Sequence, residues 1–390
     1  MKKAGLCVRY DCDNFGSMLQ ILATQKAINN CGWDYEIIRY DKRTPLFYLT
    51  NVTRLFNPYF MKGKLDGFQK NRKLKGYPEV RQGNATRNRC IADYRKAYIG
   101  PYSPVFRGYG NLVDGAKGYD AVIVGSDQLW TPAGIKSKFY NLLFAPDEVR
   151  KISFATSFGV GEVPASQRKM TAAYLRRIEH ISVRETRGAE IVKELTGRDV
   201  TVALDPTLLF TGDEWRRIFP EKRIVSEPYI LAYFLGSNEA HRDAVEQLAR
   251  AKGLKVVAIP FMDVFVERDL SFGDERLFEV GPVEFLNLIR GAEYICTDSF
   301  HGSVFSILNH KQFITFNRTN NSDRQTRNSR IDSLFGMLGL SGRRYRDGVA
   351  LADVIDKGID YPDVDRRLEE QRDRTMRFMR DSLADAEKRG

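Results

Sequence analysis

The feature that most restricts this chain is a strand, a glycine-bearing polar turn and a helix within its first 30 residues, followed at once by a second strand. Residues 4–10 (AGLCVRY) read as a short apolar strand and Asp13-Asn14-Phe15-Gly16-Ser17 as a turn. Met18, Leu19, Leu22 and Ile28 then recur at helical spacing, and residues 33–40 (WDYEIIRY) alternate as a strand. Such a unit closes right-handed and makes its two strands parallel. The pattern returns along the chain: strands are expected at 119–125, 151–156, 181–183 and 200–204, with helices over 165–177 and from just after Arg184 through 195. Segment 205–228 reads as a crossover. A second set follows, with strands at 229–235, 255–260, 293–297 and 312–316 and helices over 239–252, 282–290 and 303–308. The expected fold class is α/β, two Rossmann-like domains facing a cleft, with residues 1–215 in the first, 216–345 in the second and 346–390 as a charged helical tail. The tail's apolar face is sparse (Leu368, Met376, Phe378, Met379, Leu383), so it needs a partner and is expected to pack back on the domains. Ligands of open parallel sheets bind beyond the strand C-termini, so functional residues are expected in the turns after strands.

Composition narrows the class of partner. A chain of 390 residues with 43% apolar residues can build two cores without staples. Its five cysteines are odd in number and contain no CxxC pair, which argues against a disulfide framework or a structural zinc and fits a reducing, cytoplasmic setting. No apolar run reaches the roughly 18 residues of a membrane span. The net charge of +11 calls for an anionic partner, but it is unevenly spread. Residues 43–100 hold 13 Lys or Arg against 3 Asp or Glu, together with Phe47, Tyr48, Phe56, Tyr59, Phe60 and Phe68. This segment shows no clean period and reads as an inserted, partly helical stretch. It is a candidate surface for peripheral contact with an anionic partner, such as the inner membrane face; a solvated basic helix pair is the plainer alternative. It carries no nucleic-acid reader motif, so no nucleic-acid partner is expected.

Five clusters stand at strand ends. In the first, Asn14 and Gly16 open a helix whose free amides could meet an anion, or simply make a tight βα turn. In the second, Ser126 and Asp127 follow a buried strand; Asp127 could deprotonate a sugar hydroxyl, or the pair could cap a helix. In the third, Arg184 is placed to fork onto a phosphate or carboxylate, or to pair with Glu185 or Glu190. The fourth, Thr297 to Ser303, is the most informative: a strand ends, a polar turn follows and a helix begins with Gly302-Ser303. His301 falls at that junction, where it could transfer a proton near neutral pH, and the Gly302 and Ser303 amides could hold a phosphate. His180, His241 and His310 read as structural. The fifth is the basic run from Arg324 through Arg327 to Arg330, an anion clamp or a solvated loop. The chain lacks H-E-x-x-H, a P-loop, G-x-S-x-G, and G-x-G-x-x-G after its first strand, which argues against those metal, nucleotide, serine-hydrolase and dinucleotide chemistries.

These stretches, in this order, resemble the polysaccharide pyruvyl transferase family. The resemblance is carried by NFGSMLQ (14–20), YDAVIVGSDQLW (119–130), SFATSFG (153–159), ISVRE (181–185), DPTLL (205–209), TDSFHGSVFSILNHKQF (297–313) and NSR (328–330). It implies a fold similar to the GT-B glycosyltransferases and transfer of pyruvate from phosphoenolpyruvate onto two hydroxyls of a polysaccharide sugar, or of its lipid-linked precursor, as a ketal. No redox cofactor or metal is required by that scheme. By the same resemblance His301 and Arg184 belong to the donor site; on the chemistry such a transfer needs, His301 is the expected proton donor, Asp127 the expected base, and Arg184 and Arg330 would hold the anionic donor. One position departs: Ser299 stands where many members have an arginine. Arg330 or Arg327 is then expected to supply the cation, or the donor differs. The alternatives are a GT-B-type nucleotide-sugar glycosyltransferase and a non-catalytic relative that binds a phosphorylated metabolite.

Overall fold

The computed structural model describes residues 2–44, 76–260, 265–318 and 329–387. Strand β1 (Lys3–Cys7) leads into helix α1 (Phe15–Asn29) and β2 (Asp34–Asp41). Then come α2 (Pro78–Tyr98), β3 (Tyr102–Arg107), α3 (Tyr109–Ala116) and β4 (Ala121–Val124). The first set closes with β5 (Arg150–Thr156), α4 (Ala165–Arg177), β6 (His180–Val183), α5 (Thr186–Thr196) and β7 (Thr201–Val202). A 3₁₀ turn (Pro206–Leu209) and α6 (Gly212–Ile218) cross to β8 (Tyr229–Tyr233), α7 (Glu239–Lys252), β9 (Lys255–Ala258) and β10 (Glu275–Arg276). The second set ends with α8 (Pro282–Gly291), β11 (Tyr294–Thr297), α9 (Phe300–Leu308) and β12 (Gln312–Thr315). Helices α10 (Ser329–Leu338), α11 (Leu351–Ile355) and α12 (Tyr361–Glu387) complete the chain.

Both sheets are parallel throughout. The first has seven strands in the order β3-β2-β1-β4-β5-β6-β7, and the second has five, β10-β9-β8-β11-β12. In each sheet the winding reverses at its first strand: between β1 and β4 in the first, between β8 and β11 in the second. Ligand crevices of open α/β sheets form at these reversals, because adjacent connections leave to opposite faces. The four turns beyond β1, β4, β8 and β11 therefore share one cleft. Two strands escaped the sequence reading. β3 carries Pro104, which lacks the N–H an inner strand needs and is tolerated because β3 is an edge. β10 is two residues long. Of the basic insert, residues 45–75 lie outside the described residues, while its C-terminal part is the long helix α2.

The two domains share a core. Helix α1 is buried on nearly every side, from Phe15 through Gln25 and again at Ala27 and Ile28, so it has no solvent face to give it an amphipathic pattern. At its start the Phe15 ring meets Tyr233 and Phe285 of the second domain, 5.9 and 5.4 Å between centroids. The cluster continues through Leu208, Trp215, Phe305 and Phe335 to Leu368 and Leu383 of α12. The tail divides. Leu351 and Ile355 of α11 join the second-domain cluster with Val245 and Phe316, whereas α12 packs back on the first domain, where Thr375 Oγ1 accepts from Leu204 N (3.1 Å) and Arg372 Nε donates to Leu208 O (2.7 Å).

Candidate active site

The cleft has a volume of about 420 Å³ and is lined by the turns just named. Asn14 and Ser17 come from the turn after β1, Asp127 and Gln128 from that after β4, and Ser299, Phe300 and His301 from that after β11, joined by Arg318 and Arg330. Each turn is fixed locally. Asn14 Oδ1 caps α1 by accepting from Ser17 N at 3.0 Å. Asp127 sits at φ 85°, a left-handed conformation uncommon for a residue with a side chain. It is held there by its carbonyl, which accepts from Leu129 N (2.8 Å) and Ser157 N (2.9 Å). Its carboxylate accepts from Ser17 Oγ (2.7 Å) and from Gln128 N (2.8 Å).

Beneath the cleft lies Asp205, fully buried at the end of the first domain. Its Oδ1 accepts from Thr207 N (3.0 Å) and Thr207 Oγ1 (2.6 Å). Its Oδ2 accepts from Arg184 Nη1 at 2.5 Å and from Ser126 Oγ at 3.3 Å, and lies 3.6 Å from His301 Nε2. Burial alone would raise its pKa; His301 and Arg184 outweigh that and hold it far below the usual carboxylate range. Arg184 also reaches Asp127, Nη2 to Oδ1 at 3.6 Å. Burial opposes ionisation of Asp127 as well, yet Arg184, Arg330 and the Ser17 hydroxyl keep its pKa below the ordinary value. His301, Asp205, Arg184 and Asp127 thus form a continuous polar chain joining the two domains.

Cations exceed carboxylates on the second-domain wall. The Arg184 and Arg330 guanidinium carbons lie 4.8 and 5.6 Å from the Phe300 ring centroid, so one aromatic face environment steadies both. Arg318 stands beside them, with Nη2 donating to Asp298 O (3.3 Å). Among the described residues Arg184 Nε and Nη2, Arg318 Nε, Arg330 Nε and His301 Nε2 are buried with no hydrogen-bond partner. Burial, and then repulsion from Arg184, bring the Arg330 guanidinium down to about 9, against the pull of Asp127. A guanidinium whose charge is made less favourable in this way is one that an incoming anion would stabilise. Among the described residues no group of three or more His, Cys, Asp or Glu is arranged to hold a metal ion.

The residues singled out from sequence fall into two groups. His301, Asp127, Asn14, Ser299 and Arg330 line the cleft, with Arg184 directly behind them. Of the others, Ser303, Gly302, Ser126 and Gly16 need correction. Ser303 is fully buried, its Oγ bonded to Ser299 O (3.1 Å) and Thr315 Oγ1 (2.8 Å), and its amide donates to Ser299 O. The Gly302 amide donates to the capping Ser299 Oγ at 3.2 Å, and a Cβ on Gly302 would come 2.6 Å from Thr297 Oγ1. These two amides are committed to the start of α9 and do not face an anion. Ser126 is buried behind Arg184 and Asp205 and serves them. Gly16 presents no open backbone: the space over its Cα is filled by the His301 ring. Arg327 and Arg324 lie outside the described residues. Sequence reasoning missed Asp205, Ser17 and Arg318. For Asp205 a signal existed, an Asp-Pro-Thr placed where a strand ends; for Arg318 there was none beyond its position after β12.

Comparisons with known proteins bear on the family and the fold. The model of a family described as polysaccharide pyruvyl transferase matches residues 14–320. No curated protein matches the sequence significantly. Among solved structures, the UDP-N-acetylglucosamine 2-epimerase of Rickettsia bellii superposes with a TM-score of 0.51 at 8% identity, over 97% of this chain and 96% of that one. The UDP-GlcNAc 2-epimerase of Methanocaldococcus jannaschii gives 0.49 at 12% identity, over 95% and 92%. At such identities the likeness is one of fold, the GT-B type with two facing parallel-sheet domains.

Proposed function

The chain belongs to the polysaccharide pyruvyl transferase family, and from that premise we propose that it transfers pyruvate from phosphoenolpyruvate to two hydroxyls of a saccharide as a ketal. The observation that supports this donor is that Arg318 and Arg330 line one cleft with Arg184 directly behind them, all three with buried N–H groups unpartnered among the described residues. Phosphoenolpyruvate carries a phosphate and a carboxylate, and several guanidinium groups are what such an anion needs. In this reading Arg330 and Arg318 supply the cationic charge that Ser299 does not.

One acceptor hydroxyl oxygen bonds to C2 of the enol while C3 takes a proton from His301 and becomes a methyl group. The C2–O bond to phosphate breaks with its electron pair leaving on phosphate, and the second hydroxyl oxygen bonds to C2. Of the two hydroxyl protons, one makes good the proton given to C3 and the other leaves with phosphate. Asp127, kept ionised by Arg184 and Arg330, is the proposed acceptor of the hydroxyl proton, and Asp205 positions both Arg184 and His301. The arginines also stabilise the charge that grows on departing phosphate.

The test is phosphate release from phosphoenolpyruvate with free or lipid-linked galactose, mannose and glucose acceptors, alongside calorimetric binding of phosphoenolpyruvate. Binding in the wild type, with turnover lost in His301→Ala, is expected. No binding of phosphoenolpyruvate, with thermal stabilisation by a nucleoside diphosphate, would put a nucleotide-sugar reaction in its place. Among the described residues no helix is long and apolar enough to cross a membrane. A peripheral role for the basic segment 43–100 remains a proposal, tested by flotation with anionic liposomes before and after neutralising its lysines and arginines; equal flotation of both proteins removes it.

A further inference from the structure

We propose that the loop Arg9–Asn14 forms the acceptor side of the cleft, and that Arg87 and Arg95 of α2 are positioning residues that hold it there. The inference rests on the pyruvyl-transfer reading for the identity of the ligands, but its mechanical half does not.

Loop 9–14 follows β1 and has no regular structure before the α1 cap, yet Arg9, Asp11, Cys12, Asp13 and Asn14 all line the cleft. Its backbone is held from outside. Arg87, 3% exposed, donates from Nη2 to Asp13 O at 2.8 Å and lays its guanidinium 5.1 Å from the Phe15 ring centroid. Arg95 Nη2 donates to Cys12 O and to Asp13 Oδ1, both at 3.1 Å. Two consecutive carbonyls of a cleft-lining loop are thus tied to one helix. Burying a guanidinium costs desolvation, which its hydrogen bonds must offset; where they go to a loop, they fix that loop.

Helix α2 is itself braced on the second domain. Gly83 faces Phe278 so closely that a Cβ would stand 2.5 Å from Cδ1, the Tyr77 ring packs tilted against Phe265 with centroids 5.5 Å apart, and Cys90 packs against Gly281. The helix therefore sets the loop from the first domain relative to the wall that carries Arg318 and Arg330.

The chemistry of the loop selects its ligand. It offers the Asp11 and Asp13 carboxylates and the Asn14 amide, with Asp13 neutralised by Arg95 and with Arg9 exposed at its start. An anionic donor is drawn to the arginine wall and gains nothing from these carboxylates. Neutral saccharide hydroxyls are what such acceptor-rich groups hold.

Steady-state kinetics of Arg87→Ala, Arg95→Ala and Arg95→Lys test this, with the panel acceptor that supports phosphate release as the varied substrate. The alanine variants are expected to raise KM for the acceptor at least fivefold, with kcat and the calorimetric affinity for phosphoenolpyruvate within twofold of wild type, and Arg95→Lys to restore most of the loss. Hydrogen exchange of the amides at 11–14 should quicken at least tenfold in the alanine variants, with the strands unchanged. Parallel loss of donor affinity, or an unchanged acceptor KM, overturns the proposal. Should Arg87→Ala not fold, Asp11→Asn reads the same surface: a raised acceptor KM with donor affinity intact supports it, and an unchanged KM overturns it. Wild-type protein that does not bind phosphoenolpyruvate overturns the donor assignment instead, and the clamp then stands or falls on the exchange data.

Discussion

The imidazole of His301 rests directly on the Cα of Gly16: a methyl group there would lie 2.0 Å from Nδ1 and 2.3 Å from Cγ. The two residues belong to different domains, one at the start of α1 and one in the first turn of α9. The glycine is required for space, since its backbone is helical, and the candidate proton donor is thereby seated by the opposite domain.

Gly16→Ala should place this contact under strain. Alanine is favoured over glycine in a helix by about 1 kcal/mol, so a loss of stability would come from the overlap; overpacking of this kind costs about 1–3 kcal/mol. Phosphate release is expected to fall at least tenfold, measured under saturating substrates. In a His301→Ala background the same substitution should cost little, because the ring it meets is gone.

Asp205→Asn should destabilise the protein by about 3–5 kcal/mol at neutral pH, as removal of one member of a buried ion pair does. The wild-type carboxylate has a folded pKa below its unfolded value, so its contribution is complete above about pH 4 and is lost as the pH falls towards the folded value. Urea denaturation of both proteins at pH 7 and at pH 3.5 should show the gap narrowing on acidification. An equal gap at both pH values would contradict the assignment.

Arg330→Met should separate stability from binding. Burial and the neighbouring Arg184 disfavour the charged guanidinium, so a neutral side chain of similar length is expected to raise the melting temperature of the free protein by a few degrees. The same change removes charged hydrogen bonds worth about 1.5–3 kcal/mol to an anion. Calorimetry should show phosphoenolpyruvate binding weakened tenfold to a hundredfold. A variant less stable than wild type but still binding would assign Arg330 to structure alone.

Ser299→Ala should behave as the loss of a helix cap, since Ser299 Oγ accepts from Gly302 N and α9 begins there. A drop in stability of about 1 kcal/mol is expected, with affinity for phosphoenolpyruvate within twofold of wild type. A larger loss of affinity would return Ser299 to the donor site.

Several residues of the candidate site were legible before any tertiary structure. His301, Asp127 and Arg184 were found because strand ends are readable from apolar runs, and ligands of parallel sheets gather beyond strand ends. The same reasoning overreached at Gly302 and Ser303. It could place a helix start there, but not see that Ser299 and Thr315 had already taken its polar groups. Asp205 was passed over because its significance lies in what surrounds it: Arg184 is 21 residues away, and His301 comes from the other domain.

What the sequence determined by itself is the alternation of short apolar strands with helices, hence parallel sheets, two domains and a cleft fed by strand-end turns. Those follow from local periodicity and from the handedness of the βαβ connection, which act over tens of residues. Only the tertiary structure decided which charges meet. The Asp205 link between Arg184 and His301, the stacking of two arginines on Phe300, and the Gly16 seat beneath His301 all join residues distant in the chain. Their energies depend on distance and burial, which the order of residues does not specify.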